Sequence, residues 1–341
     1  MQARGHTFTV VTSGLSMVNG QPEVIRDIPI WRLLFATALN NRDLHQIFTN
    51  SRQLDHVIAT VQPDLVHLNT TGPSVFYYLR NASIKQIPAL LTLHMPLHTV
   101  NQPGSMVAQV LASVTHVVGV SRISLQEANQ AVPEIANRSS LIYNALAAPP
   151  VMPAPVSFSP PVILCAGRLV EQKGFDVALN AFGRVLHHYP TATLQVAGEG
   201  ELHANLEEQA ARLGLGDRVQ FLGRVSHREL YTLLNRASLM LVPSRYEPFG
   251  LVALEAAQMA RPVIASRVGG LAEIVVHEKT GLLVEPENSE QLADAVLFML
   301  EHPGISEHFG RQARQRAESL FPFPQFVDAY EGLYNHLCCS V

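Results

Sequence analysis

Two glutamates separated by seven residues are the first feature of this sequence that could carry chemistry. Glu247 and Glu255 frame the segment EPFGLVALE. An apolar run ends before it, near Val242, and a helix is predicted to begin within it, near Gly250. If the whole stretch were helical, eight steps of about 1.5 Å would place the two carboxylates about 12 Å apart. The paired acids of a glycosidase lie about 5–9.5 Å apart, so the spacing argues against that chemistry. It suits carboxylates that bind hydroxyl groups at the two ends of a nucleotide sugar, the alternative being a capping Glu247 and a solvated Glu255.

The residues around these glutamates could hold a phosphate group. Gly250 stands at the predicted helix entry, where unpaired N–H groups and the helix dipole favour an anion. A second segment, LCAGRLVEQKG, places Arg168 and Lys173 on a strand-to-helix loop. Ligands bind at the carboxyl ends of strands in open α/β sheets, and two cations there could neutralise a leaving diphosphate. Taken alone, each of these cations would more often be a solvated loop charge.

These loops require strands that end at a common edge, and the hydrophobic pattern provides such strands. Short apolar runs alternate with helical periodicity, which is typical of parallel sheets covered on both faces. Strands are predicted at 8–11, 65–68, 89–93, 116–120, 141–143, 162–166, 193–197, 219–222, 239–242, 263–265 and 282–284. Helices are predicted at 175–186, 202–213, 229–236, 292–300 and 323–337. The predicted fold class is α/β, with two doubly wound domains facing a cleft.

A proline-rich segment divides the chain nearly in half. Residues 145–161 read ALAAPPVMPAPVSFSPP, with six prolines and no charged residue, which predicts an extended linker. We expect a first domain at 1–147, a linker at 148–161, a second domain at 162–320 and a final helical segment at 321–341.

Composition restricts the class of protein further. The chain has 341 residues, of which 47% are hydrophobic, and a net charge of −4, so a large core is expected and a nucleic-acid-binding protein is not. No apolar run approaches the ~18 residues of a membrane helix, and no secretory signal is recognisable. Three cysteines, Cys165, Cys338 and Cys339, offer no disulfide framework. We expect a cytoplasmic protein, with peripheral contact at the inner face of the membrane as a further option.

Three stretches of the second half form a recognisable set: GRLVEQKG, FLGRV and PSRYEPFGLVALEAAQMARPVIASRVGGLAEIV. The set resembles the retaining glycosyltransferases of the GT-B fold, in the large family that includes sucrose synthases, bacterial glycogen synthases and mannosyltransferases of lipid and polysaccharide assembly. Looser resemblance extends through the first half in RGHTFTVVT, QPDLVH and IYN. The resemblance implies two Rossmann-like domains, a final helix that crosses back to the first of them, and no cofactor. It also implies a UDP- or GDP-sugar donor, and a glycan, lipid-linked sugar or small molecule as acceptor.

The resemblance assigns a role to each site residue. Arg168 and Lys173 would bind the donor diphosphate, Glu255 would hold the ribose hydroxyls, and Glu247 would meet the transferred sugar. The other donor-binding positions would be Phe249, the phosphate-binding backbone amides of Gly250 and Leu251, and Arg224 and Val225 beside the base. The candidate catalytic set is Arg168, Lys173, Glu247 and His94.

His94 follows a predicted strand, where the family often has a histidine that faces the donor sugar. A loop histidine without function is the alternative. His98 lies four residues further on, but Pro96 breaks a helix between them and no third ligand is in view, so no zinc site is predicted. No Asp-x-Asp sequence occurs. The metal-held diphosphate of the other major glycosyltransferase fold is therefore not expected.

One departure from the family concerns the N-terminus. The family opens with a strand, a glycine-rich loop and a helix, and Arg-Gly-His normally follows that helix. Here Arg4-Gly5-His6 stands nearly at the start. We therefore expect the first strand and its glycine-rich loop to be absent. The missing strand makes a nucleotide-sugar-binding module with little or no turnover one alternative to a glycosyltransferase. A GT-B nucleotide-sugar epimerase is the other alternative.

Overall fold

The computed structural model describes residues 1–14, 21–95, 97 and 104–339. The chain forms two compact units: the first comprises Met1–Ile142 together with the C-terminal segment from Val327, and the second comprises Tyr143–Phe326. Within the described residues, no helix combines the length and the apolar content that a membrane span requires.

The described residues of the first unit contain two sheets. Its strands are β1 (Val10–Ser13), β2 (Glu23–Ile25), β3 (Ile28–Leu33), β4 (Val66–Leu68), β5 (Ala89–Leu93), β6 (His116–Gly119) and β7 (Ser139–Leu141). Its helices are α1 (Phe35–Asn40), α2 (Leu44–Val61), α3 (Pro73–Arg80), α4 (Met106–Ser113) and α5 (Arg122–Ala131). One sheet has the order β1-β3-β2, with β1 parallel and β2 antiparallel to β3. The other is parallel and runs β4-β5-β6-β7, so β1 and β4 each lie at an end of their sheet.

Burial and capping explain the elements of this unit. Every residue of β5 is buried, as expected for a strand of a parallel sheet that is covered on both faces. The Asp43 side chain caps α2 by accepting a hydrogen bond from the N–H of Gln46 at 3.0 Å. Asn50, buried on the same helix, donates to the Tyr77 hydroxyl on α3 at 3.0 Å, which satisfies its amide in the core.

The second unit is built on one parallel sheet. Its strands are β8 (Val162–Ala166), β9 (Thr193–Ala197), β10 (Val219–Gly223), β11 (Leu239–Val242), β12 (Val263–Ser266) and β13 (Gly281–Val284). Its helices are α6 (Phe175–His188), α7 (His203–Arg212), α8 (His227–Arg236), α9 (Leu251–Gln258), α10 (Leu271–Ile274), α11 (Ser289–Glu301) and α12 (Pro303–Leu320). The strand order is β10-β9-β8-β11-β12-β13, which is a doubly wound arrangement.

The last helix, α13 (Phe323–Cys339), returns to the first unit, as the resemblance implies. Its Tyr330 hydroxyl lies 3.1 Å from Thr92 Oγ1, and its Tyr334 hydroxyl lies 2.7 Å from His67 Nδ1. Arg4 forms ion pairs with Glu331 and Asp328 of the same helix. The N-terminal segment and two strands therefore hold this helix within the first unit.

The proline-rich segment contains no helix or strand apart from one bridge at Leu146. It is nevertheless held against the second unit. Asn235 accepts a hydrogen bond from the N–H of Ala154 at 2.8 Å, and Arg261, whose side chain is fully buried, donates to the Ala154 carbonyl.

The predicted α/β class and its two Rossmann-like halves are confirmed. In the second half, three strands have the predicted bounds at 162–166, 193–197 and 239–242. In the first half, the strand predicted at 8–11 begins two residues later and the one predicted at 141–143 begins two residues earlier. The hairpin of β2 and β3 was not predicted, and its residues reach the surface along most of both strands.

Candidate active site

The candidate site lies in the second unit, where the order of the sheet reverses. β8 and β11 are neighbours, although two strands and three helices separate them in the sequence. Cys165 pairs with Leu241, so the two strands end at nearly the same level. Such a reversal is where an open α/β sheet binds ligands, at the carboxyl ends of the strands.

Arg168 lies on the loop that follows β8, and its side chain is exposed. Among the described residues its guanidinium has neither a hydrogen-bond partner nor an ion-pair partner. The next residue anchors the loop, because the N–H of Leu169 donates to the Glu199 carbonyl at 2.9 Å. The geometry thus presents an unpaired guanidinium on a fixed backbone, which suits an anion.

Lys173 and Glu247 form a short ion pair between the two loops. The Lys173 ammonium lies 2.5 Å from Glu247 Oε2, and the Ser244 hydroxyl donates to the same oxygen at 3.4 Å. Glu247 is buried, and Lys173 is mostly shielded from solvent. The alternative of a solvated loop charge therefore does not describe Lys173, whereas Arg168 is exposed, as that alternative expects. No described side chain caps α9, so Glu247 is not its capping carboxylate.

Arg245 fixes the two loops relative to each other. Its guanidinium makes a bidentate contact with Asp176 at 2.9 and 2.7 Å and a further bond to Glu287 at 2.9 Å. Its main-chain N–H donates to the Gln172 carbonyl at 2.8 Å, and the Gln172 side chain donates to the Tyr246 carbonyl at 3.1 Å. Residues on both sides of the Lys173–Glu247 pair are therefore tied together.

The main chain also brings these loops into close contact. A Cβ at Gly174, next to Lys173, would lie 2.1 Å from the Pro243 carbonyl oxygen. A Cβ at Gly269 would lie 2.0 Å from the Glu247 carbonyl oxygen. Both distances are far below van der Waals contact, so only glycine fits at either position without a backbone shift.

Helix α9 begins directly after the loop that carries Glu247. Gly250 is its N-cap residue, with φ of +105°, and provides no side-chain cap. The N–H of Ala253 is the first to donate back, to the Gly250 carbonyl at 3.0 Å. The preceding amides, including that of the exposed Leu251, stand at the positive end of the helix dipole. Phe249 is buried beside them.

Glu255 lies on α9, and its side chain is buried. Burial raises the pKa of its carboxyl to about 7, because the charged form loses hydration. His227, the first residue of α8, places its Nδ1 3.3 Å from Glu255 Oε1. The alternative of a solvated Glu255 is therefore wrong.

Two other predicted donor-binding residues lie on the connection between β10 and α8. Arg224 is exposed and Val225 is half-buried. The connection leads directly into α8, the helix that begins with His227. Arg224 and Val225 therefore belong to the same unit as Glu255.

His94 belongs to the first unit. It directly follows β5 and is exposed, and partial desolvation lowers the pKa of its imidazole. Pro96 and His98 lie outside the described residues. Among the residues that are described, no three His, Cys, Asp or Glu side chains are grouped so that they could hold a metal ion.

Three polar residues of the site were not predicted from the sequence. Arg245 stands two residues before Glu247 inside the recognised segment, and this nearness in sequence is the feature that could have identified it as a site residue. Asp176 lies in the first turn of α6, and His227 follows the capping serine of α8. Nothing in the sequence alone shows that these side chains contact Arg245 and Glu255.

Comparisons with known proteins agree with this arrangement. Residues 155–316 match the family described as "Glycosyl transferases group 1", and residues 1–148 match "Glycosyltransferase Family 4". A glycogen synthase from Mycobacterium tuberculosis is 39% identical over 175 residues, which are 51% of this chain and 42% of that protein. The match thus spans less than half the length of this relative.

Solved structures share the fold over nearly the whole chain. Sucrose-phosphate synthase from Thermosynechococcus elongatus has a TM-score of 0.84 and 26% identity, covering 100% of this chain and 91% of that one. HepE from Anabaena, solved in complex with UDP and glucose, has a TM-score of 0.78 and 20% identity, covering 96% and 99%. With both halves matched by glycosyltransferase families and the fold shared from end to end, this chain belongs to the glycosyltransferases of the GT-B fold.

Proposed function

We propose that this glycosyltransferase moves a sugar from a nucleoside diphosphate sugar to an acceptor hydroxyl with retention of anomeric configuration. One observation carries the proposal: a lysine and a buried glutamate form a 2.5 Å ion pair at the reversal point of the sheet, beside the N-terminal end of α9. Cations, a carboxylate and a helix N-terminus at one place suit a ligand that has both phosphate and hydroxyl groups.

The donor diphosphate would bind to the cationic side of this site. Among the described residues the Arg168 guanidinium has no partner to give up, and its planar group can donate to two phosphate oxygens at once. Lys173 is held in place by Glu247 before the donor arrives. When the diphosphate binds, the ammonium can share its charge with phosphate, and Glu247 then becomes available to hydroxyl groups of the sugar.

Catalysis would follow from charge that grows during the reaction. The bond between the anomeric carbon and the phosphate oxygen breaks, and a bond forms between that carbon and the acceptor oxygen. The acceptor's proton passes to an oxygen of the departing phosphate on the same face, so the protein need not supply a nucleophile. Arg168, Lys173 and the first amides of α9 would stabilise the departing diphosphate more strongly than the bound donor, which is what lowers the barrier.

The nucleoside would lie along α9 and the connection before α8. Glu255 would accept hydrogen bonds from the ribose hydroxyls, and Arg224 and Val225 would border the base. UDP- and GDP-sugars are the donors to test, UDP first because the HepE neighbour holds it. His94 would face the transferred sugar, and the acceptor would be a glycan, a lipid-linked sugar or a small molecule. We place the reaction in the cytoplasm or at the inner face of the membrane.

The test combines nucleotide binding with product analysis. The full chain is incubated with UDP- and GDP-sugars and a set of sugar acceptors, and the anomeric configuration of the product is determined by NMR. We expect an α-linked product from an α-linked donor. The Glu247→Ala variant should still bind the free nucleoside diphosphate but should lose transfer. The control Glu278→Gln, on an exposed side chain of the same unit, should keep both binding and transfer.

Each contrary result has a distinct meaning. Nucleotide binding without release of nucleoside diphosphate would make the chain a binding module. An isomerised sugar on the nucleotide would make it an epimerase. A β-linked product from an α-linked donor would refute retention, and equal loss of nucleotide binding in Glu247→Ala and Glu255→Ala would refute the separate roles of these two residues.

A further inference from the structure

His227 and Glu255 form a pair whose members differ sharply in exposure. The Glu255 side chain is 11% exposed, whereas that of His227 is 62% exposed. The imidazole therefore contacts the carboxylate from the solvent side. Among the described residues, His227 has the only basic group within 4.0 Å of this carboxylate.

Tyr231 holds the imidazole in place. Its ring meets that of His227 edge to face, with centroids 4.8 Å apart and an interplanar angle of 82°. The Tyr231 hydroxyl donates to Gln258 Oε1 at 2.8 Å, and Gln258 lies one turn after Glu255 on α9. The N-terminal half of α8 is thus joined to α9 by His227 and, one turn later on the same face, by Tyr231.

In the part of the chain that the structure describes, no other charged side chain forms an ion pair with this carboxylate. Glu255 is the only charged residue of α9, and β11 and β12 beside it contain no titratable side chain. The buried residues of α12, which also packs against α9, are uncharged. Glu273 on α10 accepts a hydrogen bond from Tyr143 at 2.8 Å. Tyr231 is the remaining titratable neighbour, and burial followed by the Glu255 charge raises its pKa, so it stays neutral.

We propose that His227 is a positioning residue for nucleotide binding, whose imidazole orients the Glu255 carboxylate and, when it is charged, favours the ionised form of that group. This inference rests on the proposed function, because it takes Glu255 as the group that holds the ribose. A buried carboxylate without a cation becomes protonated as the pH falls, and it then accepts hydrogen bonds from hydroxyl groups less well. A positively charged neighbour opposes that protonation, because it favours the charged form of the carboxyl group.

The inference predicts a loss of affinity that depends on pH. Burial raises the pKa of the Glu255 carboxyl to about 7, so its charge changes between pH 6 and pH 8, and loss of a cationic neighbour should weaken binding most at pH 6. The His227→Gln variant should therefore bind UDP or GDP about tenfold more weakly than the wild type at pH 6, and nearly equally at pH 8. The His227→Lys variant, with a permanent positive charge, should restore affinity at pH 6.

The experiment is titration calorimetry of the full chain with UDP and with GDP at pH 6, 7 and 8. The matched control is His203→Gln, because His203 also lies 3.3 Å from a glutamate, Glu207, and also meets an aromatic ring, that of Phe221, edge to face. The control should follow the wild type at every pH. The nucleotide's own titration is common to all variants and cancels in their ratios.

The outcomes separate this inference from the proposed function. Equal weakening by His227→Gln at every pH, no weakening at any pH, or failure of His227→Lys to restore affinity would overturn the role of His227 alone. A wild-type protein that binds neither UDP nor GDP would overturn the proposed function, and this inference with it.

Discussion

Replacing Glu255 with glutamine should stabilise the ligand-free protein at pH 8 while it weakens nucleotide binding. Burial raises the pKa of Glu255 to about 7 from the ordinary value of 4.5, near which a glutamate of the unfolded chain titrates. Between these values the native protein binds a proton that the unfolded chain has released. Stability contributed by that proton is therefore present below the unfolded pKa and is lost as the pH rises through the folded one.

The size of the effect follows from the same difference. A shift of about 2.5 pKa units corresponds to about 3 kcal/mol, which is an upper value because His227 lies near the carboxylate. Glutamine has nearly the same shape and no charge, so the variant should not lose this stability above pH 7. For a unit of this size, 3 kcal/mol corresponds to about 5–10 °C in the thermal midpoint.

The assay is thermal denaturation at pH 5, 7 and 8. It is measured by scanning calorimetry, so that the transitions of the two units are seen separately. Wild type and Glu255→Gln should have similar midpoints at pH 5 for the second unit and diverge as the pH rises, with the variant higher. Glu278→Gln, on an exposed side chain, should follow the wild type. If the thermal midpoint of Glu255→Gln at pH 8 is at or below that of the wild type, Glu255 is not a buried carboxyl group with a raised pKa, and the reasoning is refuted.

Other predictions concern the loops and the first unit. Arg168→Ala and Lys173→Ala should each lower kcat of transfer by about 100-fold and change KM less, since the charge that they neutralise grows in the transition state; steady-state kinetics with a pure rise in KM would contradict this. Arg245→Ala should lower the transfer rate, and it should lower the free energy of unfolding by about 1.5–3 kcal/mol, seen as a lower thermal midpoint. Arg212→Ala breaks only an exposed pair with Glu208 and should change that free energy by less than about 0.5 kcal/mol. Limited proteolysis should cut the first unit before the second, because its two described sheets have four edge strands, β1, β2, β4 and β7, whereas the second unit's sheet has two, β10 and β13. Fragments identified by mass spectrometry that come equally from both units would argue against it.

The second half could be predicted closely because its strands are nearly uninterrupted apolar runs. Residues 162–166, 193–197 and 239–242 each lie between turn-forming residues and are almost entirely buried, so composition and structure coincide. The hairpin of β2 and β3 gave no such pattern. Pro29 and Arg32 interrupt its apolar residues, and both strands reach the surface, so alternation is weak and the hairpin was missed.

The site could be predicted as a set of residues but not as a network. Arg168, Lys173 and Glu247 were found because they occupy loops at strand ends. The bond from Arg245 to Asp176 joins residues 69 positions apart, and the contact between His227 and Glu255 joins two helices. Such contacts depend on how helices pack on the sheet, and neither residue spacing nor periodicity carries that information.

The close contacts at Gly174 and Gly269 limit how this site can vary. Each glycine lies against a carbonyl of the loop that carries Glu247, so even an added methyl group would move that loop. Random variation at these positions is therefore expected to yield inactive chains rather than chains with a changed preference. Positions with exposed side chains, such as Arg224 and Leu251, can change without moving the backbone. A library intended to alter donor choice should be built there, and the glycines should be left unchanged.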